Sequence, residues 1–289
     1  MGRIAYVNGR YLGHGDAAVS IDDRGYQFAD GVYEVIAVQG GRPVDVEPHF
    51  ARLQRSLAAL GIDWPVGRRA LAMIVAEVIR RNRIAGSGMA YIQITRGVAP
   101  RGHAIPAGLR PSLVVTARPL PPFERAAARQ GVAVITIPDL RWRRCDVKSI
   151  GLLANVLGKQ QAVDAGAYEA WMVGADGTVT EGTSTNAWIV TRRGDLVTRE
   201  AGPAILDGIT RRVVLAIAAE QGIAIVERPF TVGEAKAAAE AFVTGTTTTL
   251  RPVVRIDDAT IGGGGIGPLT ERLLDRYAEH FVRPRAGRP

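Results

Sequence analysis

Apolar and polar residues alternate with a period of two in several short runs of this chain, a spacing that gives a strand one face for a core and one for solvent. Ile4 to Leu12 and Val32 to Val44 are such runs, broken by Asn8-Gly9 and by Gly40-Gly41, so each is predicted to fold as a hairpin. The period then becomes helical. One helix is predicted from about Pro48, with proline in its first turn and Gly61 as its terminator, and a second over Val66 to Arg83. Met89 to Thr95 and Ser112 to Thr116 read as strands. Pro119-Leu120-Pro121-Pro122 suits continuation of neither helix nor sheet, which places a linker at 119–123 between domains 1–118 and 124–289.

The second half is predicted to open with a short helix, Glu124 to Gln130, and a strand, Val132 to Pro138. A helix over Ser149 to Ala165 follows, with Leu152, Leu153, Val156 and Leu157 on one stripe. A hairpin turning at Asp176-Gly177 comes next, then strands at Asn186 to Val190 and Asp195 to Thr198 about Arg193-Gly194. A helix after Gly208, strands at Ala241 to Thr244 and Val253 to Ile256, and a helix from Pro268 to Phe281 complete the chain. Gly262 to Gly265 lacks the strand-loop-helix setting of a phosphate loop and reads as a turn. The fold class expected is two-domain and mixed, α+β or α/β.

Composition narrows the choice. The 289 residues exceed the usual size of one core, and 47% apolar with 22% charged residues describes a globular chain. The richest apolar stretch, Ala70 to Ile79, is broken by Glu77 and falls short of the roughly 20 residues a bilayer span requires. Cys145 is the sole cysteine, which excludes an intrachain disulfide framework and suits a reducing compartment, so a cytoplasmic protein is expected. A net charge of +8 invites a nucleic-acid reading. Against it, the arginines are scattered, the clusters Arg80-Arg81-Asn82-Arg83 and Arg283 to Arg288 are short, and aromatics for base stacking are few. Such a surface draws small carboxylates and phosphates equally well.

Of 36 basic side chains only three are lysine, Lys148, Lys159 and Lys236. Lysine offers what arginine lacks, an amine that can lose its proton and attack a carbonyl to form a Schiff base. Lys148 lies between a strand and a helix start, where α/β folds place chemistry; Lys159 and Lys236 read as surface residues. A pyridoxal phosphate (PLP) site needs a carboxylate for the pyridine nitrogen and a cup for the phosphate as well. Glu181, flanked by Thr180 and by Gly182-Thr183-Ser184-Thr185, is one carboxylate that could approach a flat ring, though such a residue after a hairpin is usually solvated. Gly208-Ile209-Thr210-Arg211 opens a helix, and Thr244-Gly245-Thr246-Thr247 leaves a strand; both could offer N–H groups to an anion, and each could equally be a plain cap.

Six segments in order carry a resemblance over nearly the whole chain: Tyr26 to Val35, His49-Phe50-Ala51-Arg52-Leu53, Arg144 to Ser149, Thr178 to Asn186, Ile205 to Arg211 and Thr244 to Thr247. The chain closely resembles the fold-type IV PLP-dependent aminotransferases, and among them the D-amino acid aminotransferases. The resemblance implies a small N-terminal α/β domain, a larger C-terminal domain with a mainly β core flanked by helices, an active site between them, and a homodimer. It implies that Lys148 is the Schiff-base lysine and proton shuttle and that Glu181 pairs with the pyridine nitrogen. Arg52, Ile209, Thr210, Thr246 and Thr247 would hold the phosphate, Leu206 would back the ring, and Arg141 would lie near the phenolic oxygen. Tyr33, Tyr91, Arg101 and His103 would grip the substrate carboxylate; His49 matches a motif position but reads as structural.

The implied activity is ping-pong transamination between a D-amino acid such as D-alanine and a 2-oxo acid such as 2-oxoglutarate. Two relatives of the same framework are alternatives: a branched-chain L-amino acid aminotransferase and an aminodeoxychorismate-type PLP lyase. The branched-chain group usually carries tyrosine five residues beyond the Schiff-base lysine, where this chain has Leu153. Thr183 and Thr185 stand where the D-specific group often has serine. No metal, membrane or nucleic-acid partner is implied.

Overall fold

The computed structural model describes residues 3–282, so the Arg283 to Arg288 cluster lies outside the described residues. The chain divides into two compact units, one drawn from Met1–Pro122 and Val147–Gly151, the other from Phe123–Asp146 and Leu152–Pro289. The division near Pro122 follows the proline run. The return of Val147–Gly151 to the first unit differs from the sequence division, which assigned Lys148 to the C-terminal domain.

The first unit contains β1 (Ile4–Val7), β2 (Arg10–Gly13), α1 (Arg24–Phe28), β3 (Gly31–Gln39), β4 (Arg42–Pro43), α2 (Val46–Leu60), α3 (Arg68–Arg81), β5 (Gly88–Thr95) and β6 (Ser112–Pro119). The strands form one antiparallel sheet in the order β2-β1-β6-β5-β3-β4. Both hairpin turns form as expected, with Asn8, Gly9, Gly40 and Gly41 all at positive φ. Alternate residues of the central strands, Val32, Ile36, Ile92, Ile94 and Val115, bury against Phe50, Leu53 and Leu57 of α2 and Leu71, Val75 and Val78 of α3. Gly61 ends α2 in the left-handed conformation.

The helix expected from Ser149 begins later. Ser149 bridges Val32, the Tyr33 N–H donates to the Lys148 carbonyl at 3.0 Å, and the Ile150 N–H donates to the Gly31 carbonyl at 3.1 Å. Because β4 covers only the far end of β3, its near edge is free to take residues 148–150 as an extended segment, and sheet pairing wins over helix propensity there.

The second unit contains α4 (Arg125–Ala128), β7 (Val132–Pro138), α5 (Leu153–Asp164), β8 (Glu169–Val173), β9 (Val179–Gly182), β10 (Asn186–Val190), β11 (Leu196–Thr198), α6 (Ile209–Glu220), β12 (Ile225–Glu227), α7 (Val232–Lys236), β13 (Glu240–Gly245), β14 (Thr249–Ile256), β15 (Ala259–Thr260) and α8 (Pro268–Val282). Its nine strands make one mixed sheet, ordered β12-β11-β10-β13-β14-β7-β8-β9 with β15 on β14; β11/β12, β14/β7 and β7/β8 are the parallel pairs. Val134, Trp171, Val179, Ile189, Val243, Val253 and Phe230 form its main core. The stripe on α5 does not join that core: Leu153, Val156 and Leu157 are exposed.

One polar cluster is built into the apolar core of the first unit. Glu34 on β3 is fully buried; its two oxygens take Nε and Nη2 of Arg52, each at 2.8 Å, and Oε2 also meets His49 Nδ1 at 2.8 Å. Burial works to raise the Glu34 carboxyl, but Arg52 and His49 outweigh it and hold it down to about 2. Burial likewise lowers His49, against the pull of Glu34.

Replacing Glu34 by glutamine removes the carboxylate that forks the buried Arg52 guanidinium, at an expected cost of about 3–5 kcal/mol in urea unfolding at neutral pH. A carboxyl lowered in the folded state stabilises fully above its ordinary value of 4.5 and loses that contribution as pH falls toward about 2. The stability gap between wild type and Glu34→Gln should therefore narrow over that interval; a gap independent of pH would refute the ion pair as its source.

Candidate active site

In the first unit the pairing of residues 148–150 with β3 sets Lys148 beside Tyr33. The Lys148 ammonium stands 4.2 Å from the centre of the Tyr33 ring, and among the described residues its side chain makes no hydrogen bond or ion pair. The Lys148 N–H donates to Ser56 Oγ of α2 at 3.2 Å. Tyr33 stacks on Tyr91 with ring centres 5.6 Å apart, because β3 and β5 bring them to one face of the sheet. The Tyr91 hydroxyl donates to Gln93 Oε1 at 2.7 Å; burial, with a smaller contribution from Tyr33, pushes its pKa up to about 12, so it remains a neutral donor at working pH.

Arg101 and His103 lie on the exposed loop after β5. Both pack on Phe28 of α1, the Arg101 guanidinium 4.8 Å and the His103 ring 5.6 Å from its centre. Among the described residues Arg101 makes no ion pair, and no hydrogen bond, ion pair or ring contact joins this pair to the tyrosines. Arg52 is buried and fixed by the Glu34 fork.

The second unit assembles a distinct group. Glu181 on β9 is buried; Asn186 Nδ2 donates to its Oε2 at 3.1 Å, the Leu206 N–H lies 3.1 Å from both oxygens, and Arg141 Nη1 pairs with Oε1. Arg141 is in turn forked by Asp139, from Nε at 2.9 Å and from Nη2 at 2.8 Å. Burial works to raise the Asp139 carboxyl, and the Arg141 fork more than reverses this. The residue expected near the phenolic oxygen is thus locked between two carboxylates, one of them Glu181.

Asn186 links this carboxylate to the two candidate phosphate segments. Its Nδ2 also donates to the Leu206 carbonyl at 2.8 Å, it stands opposite Thr244 across β10 and β13, and Gly208 presses against it so closely that a Cβ there would come within 2.1 Å of Asn186 Oδ1. Gly208 caps α6 without a side chain, so the helix opens with free N–H groups at Ile209 and Thr210. The nearby cations are already engaged: Arg212 with Asp207, and Arg211 with Asp207 and Glu227. A carboxylate, two runs of small hydroxyl residues and an uncapped helix start, all gathered at one end of one sheet, fit a planar cofactor with a ring nitrogen and a phosphate.

Sequence reasoning passed over several of these groups. Glu34 and Asn186 lie inside the segments that carry the resemblance but received no role, and Asp139 sits two residues before Arg141. The signal of Glu34 and Asn186 is a polar residue in an otherwise apolar strand, and that of Asp139 an acid directly after one.

Known proteins share both the sequence and the fold of this chain. Residues 31–256 match the family described as amino-transferase class IV. The chain is 42% identical over 266 residues to the D-alanine aminotransferase of Bacillus licheniformis, covering 92% of this chain and 93% of that one. It is 38% identical over 281 residues to the D-alanine aminotransferase of Staphylococcus haemolyticus, covering 96% and 97%. Among solved structures, the branched-chain aminotransferase of Thermoproteus uzoniensis with norvaline superposes with a TM-score of 0.86 at 28% identity, covering 98% of this chain and 95% of that one. The chain therefore belongs to the class IV aminotransferases, PLP-dependent transaminases of the fold-type IV architecture.

Proposed function

We propose that this enzyme transfers the amino group of a D-amino acid, D-alanine among them, to a 2-oxo acid such as 2-oxoglutarate, working as a cytoplasmic homodimer. The observation that carries the substrate reading is Arg101, an exposed guanidinium held over Phe28 with no carboxylate of its own among the described residues. Arginine's planar fork matches a carboxylate, and His103 beside it adds a donor. Tyr33 and Tyr91 supply neutral ring faces and hydroxyls. Identity of 42% to a D-alanine aminotransferase, against 28% to a branched-chain enzyme, supports the same choice. The exposed Leu153, Val156 and Leu157 of α5 support a partner subunit, since such a stripe is costly in water. No helix among the described residues is long and apolar enough to cross a membrane.

PLP, when bound, supplies the electron sink that lets a proton leave the substrate's Cα. In this reading Lys148 holds the cofactor covalently, and its Nζ, bound by no hydrogen bond or carboxylate among the described residues, moves that proton. Glu181 holds a proton at the ring nitrogen, itself oriented by Asn186, the Leu206 N–H and Arg141. Ile209, Thr210, Thr246 and Thr247 donate to the phosphate together with Arg52, and Leu206 backs the ring.

Lys148→Ala should lose the bound cofactor's visible absorbance and lower turnover by at least about 10²- to 10⁴-fold, the usual contribution of a positioned proton carrier. Borohydride reduction and peptide mapping of the wild type should place a pyridoxyl group on Lys148, and an adduct elsewhere would displace it from this role. Glu181→Gln should retain bound cofactor, because the phosphate donors are intact, yet lose kcat on the order of 10²-fold; full activity would remove Glu181 from the ring nitrogen. Mixed with D-alanine and no acceptor, the holoenzyme should release one pyruvate per site and stop. Faster reaction with L-leucine would favour the branched-chain activity, and acceptor-independent pyruvate release from aminodeoxychorismate a lyase.

A further inference from the structure

Arg24, the first residue of α1, has no part in the chemistry above, yet it is buried to 4% exposure. Its Nε donates to Asp30 Oδ2 at 2.9 Å. The other two nitrogens point into the loop after β5: Nη1 donates to the Gly102 carbonyl at 2.8 Å and the Ala104 carbonyl at 3.3 Å, and Nη2 to the His103 carbonyl at 3.4 Å. Among the described residues these are the sole hydrogen bonds that reach the backbone of residues 101–104. The loop's neck is closed at Gly97, whose φ of 102° and whose Cβ position, 2.0 Å from the Arg110 carbonyl oxygen, admit only glycine; the Arg24 N–H donates to the Gly97 carbonyl at 2.8 Å.

Arg24 is itself anchored. Asp30 also accepts from Arg96 Nε at 2.7 Å, and Arg96 spends its remaining nitrogens on the carbonyls of Gly61 (2.9 Å) and Leu60 (2.7 Å) at the end of α2. Burial would raise the Asp30 carboxyl, but the two guanidinia hold it below the usual range, so this brace keeps its charge. Phe28 completes it, with the Arg24 guanidinium 5.0 Å and the Arg101 guanidinium 4.8 Å from its ring centre.

We infer that Arg24 is the positioning residue of substrate recognition: by holding three successive carbonyls in residues 101–104, whose backbone has no other hydrogen bond among the described residues, it sets where Arg101 and His103 meet the substrate carboxylate. This rests on the reading of Arg101 and His103 as the carboxylate grip. The physical advantage is preorganisation. An unpinned segment would have to be ordered at each binding event, whereas the brace has it ordered beforehand. Lysine could not substitute, because one ammonium cannot span carbonyls that a planar fork reaches together.

The test compares Arg24→Met, Arg24→Lys, Arg101→Met and the Arg24→Met/Arg101→Met pair in the PLP-loaded enzyme, with D-alanine and 2-oxoglutarate. A trap displaced by about 1 Å can cost on the order of 10²-fold, so both Arg24 variants should raise KM for D-alanine by about tenfold or more, with kcat much less changed. Because Arg24 acts through Arg101, the double variant should be no worse than Arg101→Met alone. In both Arg24 variants trypsin should cut after Arg101 faster than in wild type, while cofactor absorbance is unchanged; Arg24→Lys serves should the methionine variant fail to fold. If Arg101→Met raises KM and Arg24→Lys does not, or if cleavage after Arg101 is no faster, the positioning role is overturned and the grip survives. If Arg101→Met leaves KM unchanged, the grip and the positioning role fall together.

Discussion

A guanidinium keeps its proton wherever it is placed, so an arginine buried in this chain must be given a carboxylate, and the direction of that carboxylate decides where the arginine points. Three carboxylates do this work, two in the first unit and one in the second. Glu34 takes Arg52 by a two-point fork, Asp139 takes Arg141 in the same way, and Asp30 stands between Arg24 and Arg96. Each sits on a strand or at its end, so the antiparallel sheet of the first unit and the mixed sheet of the second transmit their rigidity to cations that would otherwise swing on long side chains. A chain that writes nearly all its positive charge as arginine is suited to this arrangement, because a fork fixes orientation as well as distance.

The group around Glu181 shows what the arrangement leaves for chemistry. Asp139 and Glu181 are two carboxylates set against one guanidinium, that of Arg141. Burial opposes the charge on Arg141, and the two carboxylates outweigh it, so Arg141 keeps its proton between them. A protonated ring nitrogen would bring a second cation to this pair of carboxylates. Lys148 stands in the opposite condition: the one group expected to exchange protons is held by a ring face and by its own backbone, and by no carboxylate among the described residues. Groups that hold are paired here, and the group that reacts is left without a charged partner.

Much of the fold could be read along the chain. Hairpins at Asn8-Gly9 and Gly40-Gly41, the Gly61 stop of α2 and the Asp176-Gly177 turn are local events, decided by residues a few positions apart, and the structure contains them all. What escaped was decided at a distance. Residues 149–152 have helical propensity, but the open edge of β3, more than a hundred residues earlier, captures Ser149 and Ile150 as an extended segment. The same capture moves Lys148 into the first unit. The stripe on α5 had the period of a packed face, and period alone does not tell which surface a helix packs on. At the candidate site, Lys148, Glu181 and Arg101 stand out in the sequence by their chemistry, whereas Asn186, Asp139 and Arg24 stand out only through the company that tertiary structure gives them.

Tyr168 and Glu169, at the start of β8, show the same dependence in a pair of neighbours that no local pattern singles out. Glu169 is fully buried and meets no cation among the described residues; its carboxylate instead accepts from the hydroxyls of Thr183, Ser184 (3.0 Å) and Thr185 (3.2 Å) and from the Ala170 N–H (2.9 Å). A buried carboxyl is costly unless its oxygens are hydrogen-bonded, which makes more than one such donor necessary. The consequence is that the turn between Glu181 and Asn186 cannot move without stripping those oxygens of their donors. Tyr168 reaches the other way, its hydroxyl donating to Thr248 Oγ1 at 3.1 Å in the link between β13 and β14, while Asn155 of α5 holds the Thr183 carbonyl at 2.8 Å. Two adjacent residues thus brace both segments that flank Asn186, and threonine in place of serine at positions 183 and 185 preserves the one feature this brace requires, a hydroxyl at each.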